Sequence, residues 1–508
     1  MPITLRELTL DLPIQLLRAN PDLPITHLTD LPDQATPASL FIHRRHQRRE
    51  DLTQALAANP AAILTTPDNE PNVREPLALL TTPEIGQSLC GQLAERLHHH
   101  PARALKLAAV TGTNGKSTTT LYLQHLLTAA GLPTGLLGTI HNDLIAARHP
   151  ATLTTPGAIE LTRFLATIRD ANGQAAVYEA SSHALHQGRT DHLAPAAAIF
   201  TNLTQDHLDY HGDMTAYAAA KARLFDRLIP HDHAILNADD PHWPRMARDC
   251  PANLHLTTLR PEAPQTHGFA ITSTARATIH KRTLRHTEAT LKGPWGEQHA
   301  SLPLLGDHNI ANLLQALLAA ANLIDLPDDL DPLLRALPPV PGRLEPIPNP
   351  NFPLPRSTSS QPAVFVDYAH TPDSLDHAGQ TLKALAPGRL IILFGCGGDR
   401  DASKRPLMAA AAAKHADHLV ITSDNPRSED PQDIIKDALP GIPASHTDHL
   451  TIEPDRANAI HQTILTANPS DTILIAGKGH ETYQEIQGVR HSFDDRQHAL
   501  NALKERAQ

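Results

Sequence analysis

The chain has 508 residues, 41% of them hydrophobic, and a formal net charge of −11. That length suits about three domains with cores of their own, and the apolar content excludes a mostly disordered chain. The acidic balance, with no long Lys/Arg run, argues against a nucleic-acid binder or an anionic-membrane binder, and the widely spaced Cys90, Cys250 and Cys396 exclude a disulfide framework and a CxxC metal site.

Three free thiols suit a reducing cytoplasm. No apolar stretch approaches the roughly 20 residues of a membrane span, and the N-terminus mixes charges and prolines into its leucines, unlike a signal peptide. The many histidines and prolines are scattered, so no metal tract is read from them.

In chain order, residues 1–103 are proline-rich and weakly patterned. The run EDLTQALAANP reads as a helix, Ala61–Thr65 as a strand and His98–Pro101 as a linker. From Leu105 short apolar runs end in polar or glycine loops that enter helices. LKLAAV precedes TGTNGKST, AAVYEA precedes SSHAL, AAAIFTNL precedes TQDHLDYH, and HAILNADD follows the same grammar. The proline cluster at Leu337–Arg343 reads as a connector, and 349–362 as a surface loop. The alternation then resumes in AVFVDYAH, RLIILFGCGGDRD, HLVITSDNPR and TILIAGKGHE. Such alternation predicts parallel sheets covered on both faces, with ligands gathered at the carboxyl ends of the strands. The fold class is α/β, with divisions at 1–103, 104–341 and 342–508.

VTGTNGKSTTT (Val110–Thr120) follows a strand and opens a helix. Glycines let backbone N–H groups face an anion, and the helix start adds partial positive charge. Lys116 can reach the β- and γ-phosphates of a nucleotide, and the Ser117 hydroxyl can ligate Mg²⁺. Gly112, Thr113, Asn114, Gly115 and Thr118 complete the cradle. The strict GxxxxGK[ST] spacing is not met, because Val110 takes the first glycine position and the loop is the variant TGTNGKS. Glu179 and His207 follow apolar strands downstream of this loop. A carboxylate and an imidazole at neighbouring strand ends can share one Mg²⁺ with phosphate oxygens and water.

The variant loop resembles the ATP site of the Mur ligases and of their folylpolyglutamate synthase relatives, three-domain enzymes that form amide bonds with ATP. The resemblance implies a small α/β N-terminal domain, a central P-loop ATPase domain and a Rossmann-like C-terminal domain. It implies that Glu179 and His207 bind Mg²⁺. It also implies that Lys221, in HGDMTAYAAAKARLF, is carbamylated and so acts as a long carboxylate beside the metal. Lys116, His207 and Lys221 form the implied catalytic set.

LTTPGAIE and EASSHALHQGR resemble the donor loops of the branch that adds the third residue to UDP-N-acetylmuramoyl-L-alanyl-D-glutamate. Thr154, Thr155, Ser181, Gln187 and Arg189 then contact the donor, with Asn114, His46 and Gln47. LLGDHNIANLLQA, PGRLE and VDYAHTPDSL place Asn309, Arg343, Asp367 and His370 around the nucleotide. DNPR resembles the motif that holds meso-diaminopimelate, with Arg400, Asp424, Asn425, Pro426, Arg427, Gly477 and Glu481 as contacts. The chemistry fits: a guanidinium grips the distal carboxylate of diaminopimelate bidentately, whereas lysine has no carboxylate there.

The implied partners are small molecules only (ATP, the muramoyl dipeptide and diaminopimelate), and the implied protein is a cytoplasmic monomer. The first hundred residues depart from the family, reading Asp30-Leu31-Pro32 where relatives carry Asp-Ser-Arg. Three alternatives stand beside this reading. A folylpolyglutamate-type or variant-donor ligase is disfavoured by SSHAL, HGDM and DNPR. A non-catalytic sugar-nucleotide-binding relative is disfavoured by the intact Lys116, Glu179, His207 and Lys221. A GTP switch or motor ATPase lacks its NKxD base-reading motif here.

Overall fold

The computed structural model describes residues 2–44, 47–69, 77–348 and 361–507. His46 and most of the expected loop at 349–362 lie outside the described residues. The chain forms two compact units, one of Met1–Arg276, Lys292–Gly296 and Ala311–Asp328, the other of Ala277–Leu291, Glu297–Ile310 and Asp329–Gln508.

The first unit holds a five-stranded sheet in the order Gln15–Arg18, Ala78–Thr81, Ala62–Thr65, Ser39–Ile42, His27–Thr29. Only the first pairing is antiparallel. Side chains alternate across a strand, and the core divides accordingly. Leu40, Ile42 and Leu64 pack with Leu5, Leu8 and the helix Gln87–Leu97, while Phe41 and Ile63 pack with Leu52 and Ala55 of the helix Arg49–Ala57. The expected helix and strand of this part are both present, so a covered sheet underlies a weak sequence pattern.

The larger sheet of this unit centres on the strand Lys106–Thr111. It is flanked by Ala175–Glu179 and then Thr134–Leu137 on one side, and by Ala197–Phe200, His233–Asn237 and Asn253–Thr258 on the other. All these pairings are parallel. From Lys106–Thr111 the chain crosses first to Thr134–Leu137 and Ala175–Glu179 on one side and then to Ala197–Phe200 on the other, so the carboxyl end of Lys106–Thr111 is a topological switch point where a ligand crevice opens. Leu107, Ala109, Tyr178 and Phe200 pack against Leu161 and Leu165 of the helix Ala158–Asp170 and Tyr217 of the helix Met214–Ala222.

The second unit holds a six-stranded sheet, Glu345–Ile347, Ala363–Asp367, Thr472–Ala476, Leu390–Phe394, His418–Ile421, Leu450–Ile452, parallel apart from the first strand. Both faces are covered. Ile392 and Phe394 meet the helices Pro372–Lys383 and Lys404–Ala413, and Ile391 and Leu393 meet Arg456–Thr466 and Asp495–Arg506. All five residues of Leu390–Phe394 are buried, each worth roughly 1.5–3 kcal/mol relative to exposure.

Among the strands that the sequence reading passed over are Ile271–Arg282, Thr287–Gly293 and Gly296–Leu302. They alternate threonine, histidine and charged residues with a few alanines, so no apolar run marked them. Among the described residues no helix is long and apolar enough to cross a membrane.

Candidate active site

The phosphate loop sits at the switch point, between the strand Lys106–Thr111 and the helix Lys116–Ala129. A Cβ on Gly112 would fall 1.8 Å from Thr201 Oγ1, and Gly115 has φ +84° with a would-be Cβ 2.4 Å from Asn312 Oδ1. Both glycines are therefore required by close approach. The loop is laced to the next strand end. Asn202 O accepts from Thr113 N (2.9 Å) and Asn202 Oδ1 accepts from Asn114 N (2.9 Å). Thr201 Oγ1 donates to Asn114 O (2.6 Å). Lys116 Nζ folds back to Gly112 O (3.0 Å) and Thr113 O (2.8 Å). Ser117 and Thr118 are buried at the helix start.

Lys221 Nζ, fully buried, donates to the same Gly112 carbonyl at 2.7 Å, so two lysines converge on one oxygen. It lies 4.5 Å from the Tyr217 ring centre. Among the described residues no carboxylate lies within ion-pair distance of it. Burial, aided by Lys116, holds its amine well below the ordinary lysine range.

Glu179, 1% exposed, accepts from Thr139 N at Oε1 (2.8 Å) and from the Thr139 hydroxyl at Oε2 (3.0 Å). His207 opens the short helix Leu208–His211 with φ +53°, and its Nε2 lies 3.4 Å from Asp206 Oδ2. Burial holds this imidazole below its ordinary value.

The two donor-loop segments meet beside Glu179. Thr155 Oγ1 donates to Glu179 O (2.7 Å) and accepts from Ser181 N (3.0 Å). Ser181 caps the helix Ser182–His186. Thr154 Oγ1 lies 3.1 Å from the Thr139 hydroxyl. Arg189 reaches Thr155 O (2.8 Å) and straddles Gln187 Oε1, and Gln187 Nε2 donates to Tyr210 OH (3.2 Å). Gln47 is engaged locally, donating to Asp30 O (2.6 Å) and accepting from Arg44 N (2.7 Å), while Arg44 ion-pairs with Asp30.

In the second unit, Asp367 ends its strand with both oxygens occupied, by Leu344 N (2.6 Å) and Ala369 N (2.8 Å). Arg343 lies over the Tyr368 ring at 4.7 Å, and His370 Nδ1 lies 2.8 Å from Tyr368 O. Asn309 donates to Leu305 O (2.8 Å), just ahead of its own helix Asp307–Leu323.

The DNPR loop follows the strand His418–Ile421. Arg427, at φ +52°, donates from Nη1 to Gly398 O (2.6 Å), and its backbone bonds Glu485 O and Gln487 N. Gly398 packs on Pro426, where a Cβ would lie 1.9 Å from its carbonyl oxygen. Asp424 Oδ1 accepts from Asn425 N (2.7 Å), but its buried Oδ2 has no partner among the described residues. Gly477, φ +115°, leaves this oxygen its space, because a Cβ there would lie 2.5 Å from it. Asn425 Nδ2 donates to Glu481 Oε2 (2.8 Å). Arg400 is exposed, with Nη1 on Asp399 O (3.2 Å). An unsatisfied carboxylate oxygen suits an ammonium, and the guanidiniums that the neighbouring loops carry suit a carboxylate.

Residues 110–320 match the Mur ligase middle domain, and 355–479 match the Mur ligase glutamate ligase domain. The chain is 42% identical to the UDP-N-acetylmuramoyl-L-alanyl-D-glutamate--2,6-diaminopimelate ligase of Synechococcus elongatus, over 99% of each chain. The chain belongs to the Mur ligase family. A ligase of the same name from Xanthomonas campestris is 41% identical, over 89% of this chain and 87% of that one. A solved structure of a ligase with this name superposes with a TM-score of 0.68 at 32% identity, covering 100% of both chains.

Within this Mur ligase, the donor set near the phosphate loop suits Mg²⁺ only in part. Ser117, Glu179 and His207 offer a hydroxyl, a carboxylate and an imidazole, which suits a cation that takes its other ligands from phosphate and water. Among the described residues no group of three or more His, Cys, Asp or Glu is assembled to hold a metal. Lys221 as a free amine donates to a carbonyl and offers nothing to a cation. Sequence reasoning missed the residues that hold the named ones in place: Asn202 for the loop, Thr139 for Glu179, Tyr210 for Gln187, and Lys478 in the DNPR pocket. Asn202, Tyr210 and Lys478 lie within the motif segments, whereas Thr139 lies apart from any motif and gave no signal.

Proposed function

We propose that this chain is an ATP-dependent ligase joining meso-diaminopimelate to the D-glutamate of UDP-N-acetylmuramoyl-L-alanyl-D-glutamate, a cytoplasmic step of peptidoglycan precursor synthesis. Full-length relatives carrying that name support the reading. The observation that carries it is the DNPR loop, which holds the Arg427 guanidinium on Gly398 O and leaves Asp424 Oδ2 without a partner among the described residues. In this reading residues 1–103 take the uridine end, 104–341 take ATP and the muramoyl peptide, and 342–508 take the amino acid. The protein acts as a monomer on small molecules alone.

A carboxylate is a poor electrophile, so it is first activated. A γ-carboxylate oxygen of D-glutamate attacks the γ-phosphorus, the bond to ADP breaks, and an acyl phosphate forms. Catalysis here is positioning and charge neutralisation. Loop N–H groups and Lys116 bear on the phosphates. Arg189 and the hydroxyls of Thr154, Thr155 and Ser181 hold the peptide's anionic groups, and Asn309, Arg343, Asp367 and His370 hold the nucleotide. Ser117, Glu179, His207 and a carbamylated Lys221 would hold Mg²⁺, which when bound supplies neutralisation of phosphate charge. One amino group of the diaminopimelate held by Asp424, Asn425, Glu481 and Gly477, present as the neutral amine, then attacks the acyl carbon. The tetrahedral intermediate expels inorganic phosphate, the nitrogen gives up a proton, and the amide remains.

The test measures phosphate release from ATP with the muramoyl dipeptide and diaminopimelate, L-lysine or L-glutamate in turn. Release with diaminopimelate alone is expected, and preference for L-lysine overturns the reading. Arg427→Ala is expected to raise KM for diaminopimelate about tenfold to a hundredfold, the worth of a hydrogen-bonded charge, and to narrow the gap to lysine. An unchanged ratio between the two amino acids would remove Arg427 from the specificity argument.

A further inference from the structure

Lys478 is 0% exposed, and the mechanism above does not use it. It sits between Gly477 (φ +115°) and Gly479 (φ +55°), and a Cβ on Gly479 would fall 2.6 Å from Tyr368 Cβ. The tight backbone carries the lysine inward rather than to solvent. Its Nζ donates to Asn425 Oδ1 (2.9 Å) and to Glu481 Oε2 (3.1 Å), and lies 5.5 Å from the Tyr483 ring centre.

An ammonium only donates, so it decides which way the Asn425 amide points. Lys478 and the Glu485 N–H (2.9 Å) both take Oδ1, which sends Nδ2 to Glu481 Oε2 (2.8 Å). Glu481 Oε2 thereby receives two donors, whereas Oε1 has no hydrogen-bond partner among the described residues. The nearby Asp424 Oδ2 is likewise unpartnered.

We infer that Lys478 is a positioning residue for the amino-acid pocket, fixing Asn425 and one oxygen of Glu481 so that Glu481 Oε1 and Asp424 Oδ2 are left to receive the substrate's ammonium. The inference rests on the proposed diaminopimelate reaction and adds a residue to its specificity pocket. Lys478 touches no reacting atom. It acts through Asn425 and Glu481.

The experiment measures KM for all three substrates, kcat and thermal unfolding in wild type, Lys478→Met and Lys478→Gln. Wild type turning over diaminopimelate secures the reaction, and wild type that fails to use it overturns both readings. In Lys478→Met the KM for diaminopimelate is expected to rise about tenfold or more, while KM for ATP and for the muramoyl dipeptide stays within about twofold. Lys478→Gln keeps a donor without the charge, and it is the variant to read if the methionine variant does not fold. It is expected to show the same split. Glu481→Gln added to Lys478→Met is expected to raise KM by less than it does alone, as members of one network do. An unchanged diaminopimelate KM, or three KM values rising together with a lower Tm, overturns the positioning role.

Discussion

Lys221→Ala is expected to lower turnover about 10²- to 10³-fold, the usual loss when one preorganised charge-stabilising group is removed. The side chain is buried against Gly112 O and Tyr217 without a carboxylate within ion-pair distance among the described residues. A buried amine of that kind is held toward its neutral form, and a neutral amine can attack carbon dioxide, releasing a proton and leaving a carbamate. Mass spectrometry of the intact enzyme under bicarbonate should find the added carbon dioxide. Stripping bicarbonate should depress wild-type turnover reversibly and leave Lys221→Ala unaffected. Lys221→Glu, which restores a shorter carboxylate, should recover part of the rate. Full activity in Lys221→Ala would dispose of the carbamate.

The second large effect is on stability. Arg456 and Asp495 form a bidentate ion pair with both side chains fully buried, Nε to Oδ1 and Nη2 to Oδ2 at 2.7 Å. The same guanidinium donates to Ser423 O (3.2 Å) and Ala476 O (2.9 Å), the residues just before Asp424 and Gly477. Arg456→Met strands a buried carboxylate and two carbonyls, and is expected to cost about 3–5 kcal/mol in urea unfolding. Removing both partners, as Arg456→Met with Asp495→Leu, should restore much of that, since a well-packed apolar pair replaces a buried charge pair at little loss. Because Arg456 ties together the two loops of the amino-acid pocket, the single variant should also bind diaminopimelate more weakly.

The candidate site groups were legible because they cluster at strand ends, and an apolar run followed by a polar loop is a local signal. The strands Ala363–Asp367, Leu390–Phe394, His418–Ile421 and Thr472–Ala476 appear where apolar runs marked them. What was not legible is pairing across distance. Thr139 meets Glu179 at a separation of 40 residues, Asn202 meets Asn114 at 88, and Lys478 meets Asn425 at 53. Only the folded sheets bring those strand ends together. The N-terminal sheet was weakly legible for a related reason, because its strands have only three or four residues, too few to establish a period.

The convergence of Lys116 and Lys221 on the Gly112 carbonyl bears on how nucleotide is admitted. Lys116 is moored to its own loop, and an arriving triphosphate has to cast it off, exchanging two carbonyl contacts for phosphate oxygens. Each such contact is worth about 1 kcal/mol, so a nucleotide with more phosphate charge offsets the exchange more fully. A diphosphate, with less charge to draw the lysine away, would offset less of it, which favours departure of the spent cosubstrate over its retention.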